Sequence, residues 1–273
     1  EWQLQAVRTL NHDCVQLKFR CLGDVAIDSI APVWHVDLAA ELGDRTVSRA
    51  YTPVSTAQDF ANGVLDLLIK VYPNGVMTQH LASLKVGECI AVAKPISTLD
   101  IGFLAEGVVV IAGGSAVTLA MQVCEIVLNL EEPPEVHLLL CNKTVDDALF
   151  AERFEQLLET HPLFHVTHCI SREKPHKAGR ALWKQDRLNV AILRGLPQQL
   201  KTIVSGPPGL CRAAYDALWA LNRLGNTLFL DELPEVSSAC ASKLVEGAPP
   251  KRQDRPSQAG QEVLKRAKAA MGT

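Results

Sequence analysis

Ser48-Arg49-Ala50-Tyr51-Thr52-Pro53, at the centre of the run TVSRAYTPVST (46–56), lies between two apolar, strand-like segments. In an extended backbone Arg49 and Tyr51 project to one side, and Thr52 to the other or along the edge. A guanidinium pairs bidentately with phosphate, a phenol ring stacks on a planar ring, and a hydroxyl hydrogen-bonds to a ring edge. The stretch therefore suits a flat, anionic ligand. The same residues also suit an ordinary strand end with an exposed Arg and a half-buried Tyr, and in isolation that plainer reading is favoured. The flanking sequence has to decide.

Upstream, WQLQAVRTL (2–10), CVQLKFRCL (14–22) and VWHVDLAAEL (33–42) are short apolar segments separated by turn residues, without helical periodicity. Such spacing predicts an antiparallel barrel or sandwich. Downstream, Asn62-Gly63 punctuates the chain before VLDLLIKVY (64–72), whose alternation puts Leu65, Leu67 and Ile69 on one face. Lys70 and Tyr72 end this strand with a cation and a ring, which in isolation read as surface snorkelling and half-burial. Pro73-Asn74-Gly75 then turns into a short helix, MTQHLASL. A glycine before a helix start lets a phosphate approach backbone N–H groups, although a hairpin loop and capped helix would look the same.

From Gly107 the texture changes. GVVVIAGG (107–114), EVHLLLCN (135–142), LFHVTHCI (163–170) and KTIVSGPP (201–208) are fully apolar runs, most of them followed by helix-like segments such as LFAERFEQLLE and LCRAAYDALWALNRL. Strands of this kind read as a parallel sheet in a βαβ series, buried on both faces. Such a sheet binds ligands beyond the carboxyl ends of its strands, where Gly113-Gly114-Ser115 and Ser205-Gly206-Pro207-Pro208 both fall.

The totals fit two soluble domains. The chain has 273 residues, 48% hydrophobic and 21% charged, enough for two separate cores. A net charge of -3 gives no global field for nucleic acid. No run of 18 apolar residues and no signal peptide occurs, so no membrane-spanning segment is expected in this chain. Eight scattered cysteines, without a C-x-x-C pair, read as reduced thiols in a cytosol-facing protein. His161, His165 and His168 with Cys169 invite a metal reading, but strand alternation points His165 and His168 to opposite faces, so no metal site is expected. The chain begins directly at a strand-like segment, as a fragment of something longer would.

The order R-x-Y-T, I-K-V-Y, G-x-M-T resembles the FAD-binding domain of the ferredoxin-NADP reductase superfamily, specifically its NADH-cytochrome b5 reductase branch. That family reads R-P-Y-T-P at Arg49 to Pro53, I-K-V-Y at Ile69 to Tyr72 and G-x-M-S at Gly75 to Thr78. The second half is similar to the superfamily's G-G-T-G-x-T-P at Gly113 to Leu119 and C-G-P-P-P-M at Ser205 to Leu210. Fused oxidoreductases that join cytochrome b5 and b5-reductase domains share further detail: I-K-x-Y-P-x-G-x-x-T at Ile69 to Thr78, and F-N-K-T-x-D-D at Cys141 to Asp147, with Cys141 for Phe. That subgroup is taken as the nearest relative.

The resemblance implies an antiparallel β-barrel FAD-binding domain (1–104), a Rossmann-like α/β parallel-sheet NAD(P)-binding domain (105–232) and a C-terminal extension (233–273), flexible with a short basic helix at its end. It implies that Tyr51 and Thr52 lie against the isoalloxazine and Arg49 pairs with the pyrophosphate. Lys70 and Tyr72 would line the cofactor, and Gly75, Val76, Met77 and Thr78 would approach phosphate. Gly114, Ser115, Thr118, Gly206 and Pro207 would hold NADH or NADPH, and Thr52 and Ser205 would flank the reacting rings. The implied reaction passes electrons from NAD(P)H through FAD to a haem acceptor such as cytochrome b5, separate or fused, in the cytoplasm or on the cytosolic face of the endoplasmic reticulum. A different acceptor, an iron-sulfur protein or molybdenum enzyme, is a variant of the same reading.

Three departures support a rival reading, a degenerate scaffold acting as a binding module with impaired NAD(P)H use. Ala116 replaces a Gly, Leu119 a Pro, and Ser205 the Cys beside the nicotinamide. Nucleotide choice is open. Ser171-Arg172 is similar to a 2′-phosphate grip, and Lys174, Lys177, Lys184 and Arg187 make the region basic, but a solvated basic loop reads equally well.

Overall fold

The computed structural model describes residues 1–25, 30–175, 179–231 and 233. Lys177, Cys240 and the extension expected at 233–273, apart from Leu233, lie outside the described residues. The chain divides into two compact units: Glu1–Ile101 with Met121–Ile126, and Gly102–Ala120 with the described residues from Val127 onward.

The first unit contains β1 (Trp2–Thr9), β2 (Cys14–Cys21), β3 (Val33–Leu42), β4 (Arg45–Tyr51), α1 (Ala57–Ala61), β5 (Val64–Lys70), α2 (Val76–Ser83), β6 (Cys89–Val92) and β7 (Ile96–Leu99). Its strands form one antiparallel sheet in the order β4-β3-β6-β1-β2-β5, with β7 also paired to β3. Val54, three residues beyond β4, donates its N–H to the carbonyl of Asp66 in β5 at 2.9 Å, so the two ends of the order meet there as in a barrel. The alternation of 64–70 appears in the packing: Leu65, Leu67 and Ile69 are fully buried, opposite Phe19, Leu17 and Val15 of β2. Trp2 stacks on Phe60 at 4.7 Å and Trp34 meets the same ring edge-on at 5.2 Å, filling the space under α1. Thr56 and Asp59 form a capping box that starts α1.

The second unit contains β8 (Val108–Gly113), both ends of α3 (Val117–Leu128), β9 (Val136–Asn142), α4 (Ala151–Thr160), β10 (Phe164–Ile170), β11 (Leu182–Gln185), α5 (Val190–Arg194), β12 (Lys201–Ser205), α6 (Pro208–Ala220) and β13 (Thr227–Phe229). All six strands are parallel, in the order β11-β10-β9-β8-β12-β13. Every residue of β8 is buried, as the unbroken apolar run predicts. From β8 the chain winds outward through β9, β10 and β11, then returns to lay β12 on the other side of β8. The topological switch point therefore lies between the carboxyl ends of β8 and β12, where open parallel sheets take their ligands.

Candidate active site

In the first unit the sequence-predicted residues gather around the N-terminus of α2. This helix packs against β5 and β4, which brings the ends of those strands to its first turn. Gly75 is the N-cap and no side chain caps it, leaving first-turn N–H groups available to an anion. A Cβ on Gly75 would collide with the Thr78 hydroxyl and sit 3.1 Å from Tyr72 Cβ, so the turn closes only with glycine. Thr78 Oγ1 donates to Gly75 O at 3.0 Å and accepts from Tyr72 N at 3.2 Å, while Gln79 Nε2 donates to Tyr72 O at 2.9 Å. Thr78 is thus fastened into the loop rather than left as a free donor.

Tyr51 is half-buried at the end of β4, paired with Val36 of β3. Burial pushes its phenol up to about 12; Arg49 pulls the other way and Tyr72 adds to the rise. The ring is neutral at physiological pH and keeps its proton for donation. Arg49 is exposed, its guanidinium donating to Ser48 O at 2.7 Å. Thr52 is half-buried beside it. In the same unit, Gln122 Nε2 donates to Pro53 O and its Oε1 accepts from Trp34 N, both at 3.1 Å, which pins the chain immediately after Thr52.

Tyr72 and Val76 are exposed, but Met77 is 3% exposed in the barrel core, so only its backbone faces the turn. Lys70, on the end of β5, pairs with Asp13 at 2.6 Å. Burial alone would raise the Asp13 carboxyl, but hydrogen bonds from Lys70 and Cys14 outweigh it and hold the group below its usual range.

The second group stands at the switch point. Gly206 has φ +149, and a Cβ there would lie 3.1 Å from both the N and the O of Gly113, so two bare backbones touch across β8 and β12. A Cβ on Gly113 would meet Leu210 Cδ2 at 2.5 Å and Cys141 O at 3.1 Å. Gly114 follows with φ +61, opening a single 3-10 turn before α3. This bare ledge, with no side chain capping α6 behind Pro207-Pro208, is a surface that a dinucleotide backbone can approach closely. Ser115 is half-buried, and Thr118 is 4% exposed with its hydroxyl spent on Ser115 O at 3.0 Å. Thr118 therefore shapes the turn.

The departures from the family pattern find physical explanations here. Ala116 has φ −63 and ψ −8 and is buried, a conformation that asks nothing of glycine. Leu119 is 3% exposed on the packed side of α3. Ser205 is held by a residue the sequence reading missed: its Oγ donates to Asp231 Oδ2 at 2.7 Å, and Gly206 N donates to the same oxygen at 2.8 Å. The signal is in the register. β13 pairs Phe229 with Val204 and Leu230 N continues the ladder to Val204 O, which carries Asp231 alongside Ser205. Only the pairing of β12 with β13 reveals it.

Ser171 and Arg172 follow β10 at the same edge, their N–H groups bonded to Asn142 O and Lys143 O at 3.0 and 2.9 Å. Thr144 is clamped by Asp147 Oδ2 through both N and Oγ1.

Comparison with known proteins agrees with this division. Residues 1–101 match the oxidoreductase FAD-binding domain and residues 110–216 the oxidoreductase NAD-binding domain. An NADH-cytochrome b5 reductase-like protein of Arabidopsis thaliana is 36% identical over 177 residues, covering 63% of this chain and 52% of that protein. NADH-cytochrome b5 reductase 1 of Debaryomyces hansenii is 28% identical over 208 residues, 72% of each. The chain thus spans about half the length of the first relative and most of the second. The cytochrome b5 reductase domain of Ulva prolifera nitrate reductase superposes with TM-score 0.68 at 21% identity, over 84% of this chain and 95% of that one, which shows the shared fold. With an antiparallel FAD-binding domain followed by a parallel-sheet NAD-binding domain, the chain belongs to the FAD- and NAD-binding oxidoreductases and is similar to NADH-cytochrome b5 reductases.

Proposed function

We propose that the chain takes electrons from NADH, through FAD, to a one-electron haem acceptor of the cytochrome b5 type. Hydride and single-electron chemistry are supplied by the bound cofactors, while the protein binds, orients and excludes water. In this reading the ring of Tyr51 and the hydroxyl of Thr52 hold the flavin plane. Arg49 and the uncapped first turn of α2, at Gly75 to Thr78, take the pyrophosphate, with Lys70 and Tyr72 along the cofactor. The ledge of Gly113, Gly114, Ser115 and Gly206-Pro207 holds the nicotinamide dinucleotide, and Ser205 fixes the ring beside it. Thr118 supports the turn from behind.

The observation that carries the reading is the contact of Gly206 with Gly113 at the switch point, with Ser205 fastened next to it. It removes the main support for a degenerate scaffold, since Ala116 does not distort the turn and Ser205 is held in a defined position. Among the described residues no helix is long and apolar enough to cross a membrane.

The test is direct. After FAD reconstitution the protein is expected to be yellow, to bleach on anaerobic addition of NADH, and then to reduce cytochrome b5. A flavin that NADH leaves oxidised would return the scaffold reading, and a flavin that bleaches without passing electrons to cytochrome b5 would point to another acceptor.

A further inference from the structure

The sheet of the second unit carries a second cluster of reactive side chains, at the end away from the nucleotide ledge. His137 and His165 are the second residues of β9 and β10 and stand directly opposite each other in the parallel register. Their imidazoles stack with centroids 4.5 Å apart and planes 25° from parallel. Glu135, two residues before His137, places Oε1 2.8 Å from His137 Nε2. One donor atom from each of the three residues falls within 4.8 Å of the other two.

We propose that Glu135, His137 and His165 form a binding site for zinc(II). Two imidazole nitrogens and one carboxylate oxygen are the three-ligand set of an open, four-coordinate zinc centre. The nitrogens exclude calcium and magnesium as preferred occupants, because those ions select oxygen donors. Donor–metal distances of about 2.0 to 2.2 Å require neighbouring donors of a tetrahedral ion to stand roughly 3.4 Å apart. Donors already within 4.8 Å reach that spacing by small side-chain rotations, and His165 is exposed and free to make one.

The fourth position has a place to face. A cleft of about 310 Å³ adjoins the two histidines and is also lined by Arg180, Leu182, Lys184 and Ile192. Its two cationic side chains favour water, hydroxide or a small anion as the fourth ligand. His137 stands five residues before the end of β9, about 16 Å along the strand from the edge that carries the nucleotide ledge. The zinc site is therefore separate from the proposed redox site on the same sheet. Strand alternation correctly separates His165 from His168 but says nothing about a partner on the next strand, and so conceals this set.

The full chain with FAD bound, stripped with chelator, is titrated calorimetrically with zinc chloride, alongside His137→Gln and His165→Gln. One equivalent is expected to bind the wild type, with affinity lowered at least about tenfold in each variant and FAD content unchanged. Crystals soaked in zinc are expected to show an anomalous peak between the three side chains. Failure of the wild type to bind, or affinity in both variants within twofold of wild type, overturns the proposal; the second result would place the ion elsewhere, for instance on the exposed thiol of Cys89.

Discussion

Ser205 Oγ and Asp231 Oδ2 lie 2.7 Å apart, and the same carboxylate oxygen accepts from Gly206 N at 2.8 Å. One acidic side chain thus sets both the hydroxyl proposed to flank the nicotinamide and the peptide that begins the phosphate ledge. Charge-assisted hydrogen bonds of this kind are about twice as strong as neutral ones, and hydride transfer is sensitive to displacements of an ångström. Asp231→Ala is expected to slow flavin reduction at saturating NADH at least about tenfold, with FAD content unchanged. Stopped-flow reduction of Asp231→Ala, Ser205→Ala and the double variant forms a thermodynamic cycle, and strictly additive effects would show that the two residues do not act together.

Tyr51 ends β4, paired with Val36 of β3, half-buried and neutral, so its ring offers a flat face and its hydroxyl a donor. Tyr51→Ala is expected to weaken FAD retention, read as a lower ratio of flavin to protein absorbance after gel filtration. Tyr51→Phe keeps the face and loses the donor, and should retain FAD better than the alanine variant. Full flavin occupancy in Tyr51→Ala would remove the ring from the list of anchors.

How much of this was legible in the sequence follows from where each signal resides. Period-two alternation in 64–70 and unbroken apolar runs such as 108–113 are local, so both sheets could be read before any pairing was known. The turn around Gly75 was legible because a single short segment builds it. Asp231, His137 and Glu135 were not, because what makes them notable is the neighbouring strand, and strand order and register are set by long-range pairing that a local pattern does not encode. Met77 shows another limit: the motif names its position but not that its side chain packs into the barrel core.

His168 is wholly buried, stacked on Trp183 at 3.9 Å with planes 11° apart, and neither ring nitrogen has a hydrogen-bond partner among the described residues. Burial lowers its pKa to about 4, outweighing an opposing pull from Glu155. The folded pKa lies below the unfolded value of 6.5, so the unfolded chain takes up the proton first. Stability from this group is complete above pH 6.5 and is lost as pH falls towards 4, by at most about 3.5 kcal/mol. His168→Phe keeps the stack, and should flatten the acid limb of stability between pH 6.5 and 4 in urea unfolding. An unchanged limb would assign acid sensitivity to other groups.

Arg223 is 5% exposed and, among the described residues, caps carbonyls rather than pairing with a carboxylate: it donates to Leu193 O, Pro197 O and Leu200 O and to Thr202 Oγ1 at 3.0 to 3.4 Å. Its planar fork ties the end of α5 to the start of β12, the strand that presents Ser205. Hydrogen bonds from charged donors contribute about 1.5 to 3 kcal/mol each, and orphaned buried carbonyls add to the loss. Arg223→Met should therefore lower unfolding free energy by at least about 2 kcal/mol, and Arg223→Lys should recover little of it, since one ammonium cannot reach four acceptors in a plane. Stability within 0.5 kcal/mol of wild type in chemical denaturation would show that water replaces the arginine.

Arg172 tests nucleotide choice. Its backbone is bonded to Lys143 O and that of Ser171 to Asn142 O, so the pair is set at the carboxyl edge where the adenosine end of a dinucleotide would lie, with the Arg172 side chain exposed. A guanidinium there would favour a 2′-phosphate by a surface-screened attraction, modest in energy. If it reads that phosphate, Arg172→Ala should raise KM for NADPH about tenfold and leave NADH within about twofold, and added salt should narrow the difference in the wild type. Equal effects on both nucleotides would make Arg172 a general contact, and no effect on either would leave it as part of a solvated basic loop, consistent with NADH as the donor.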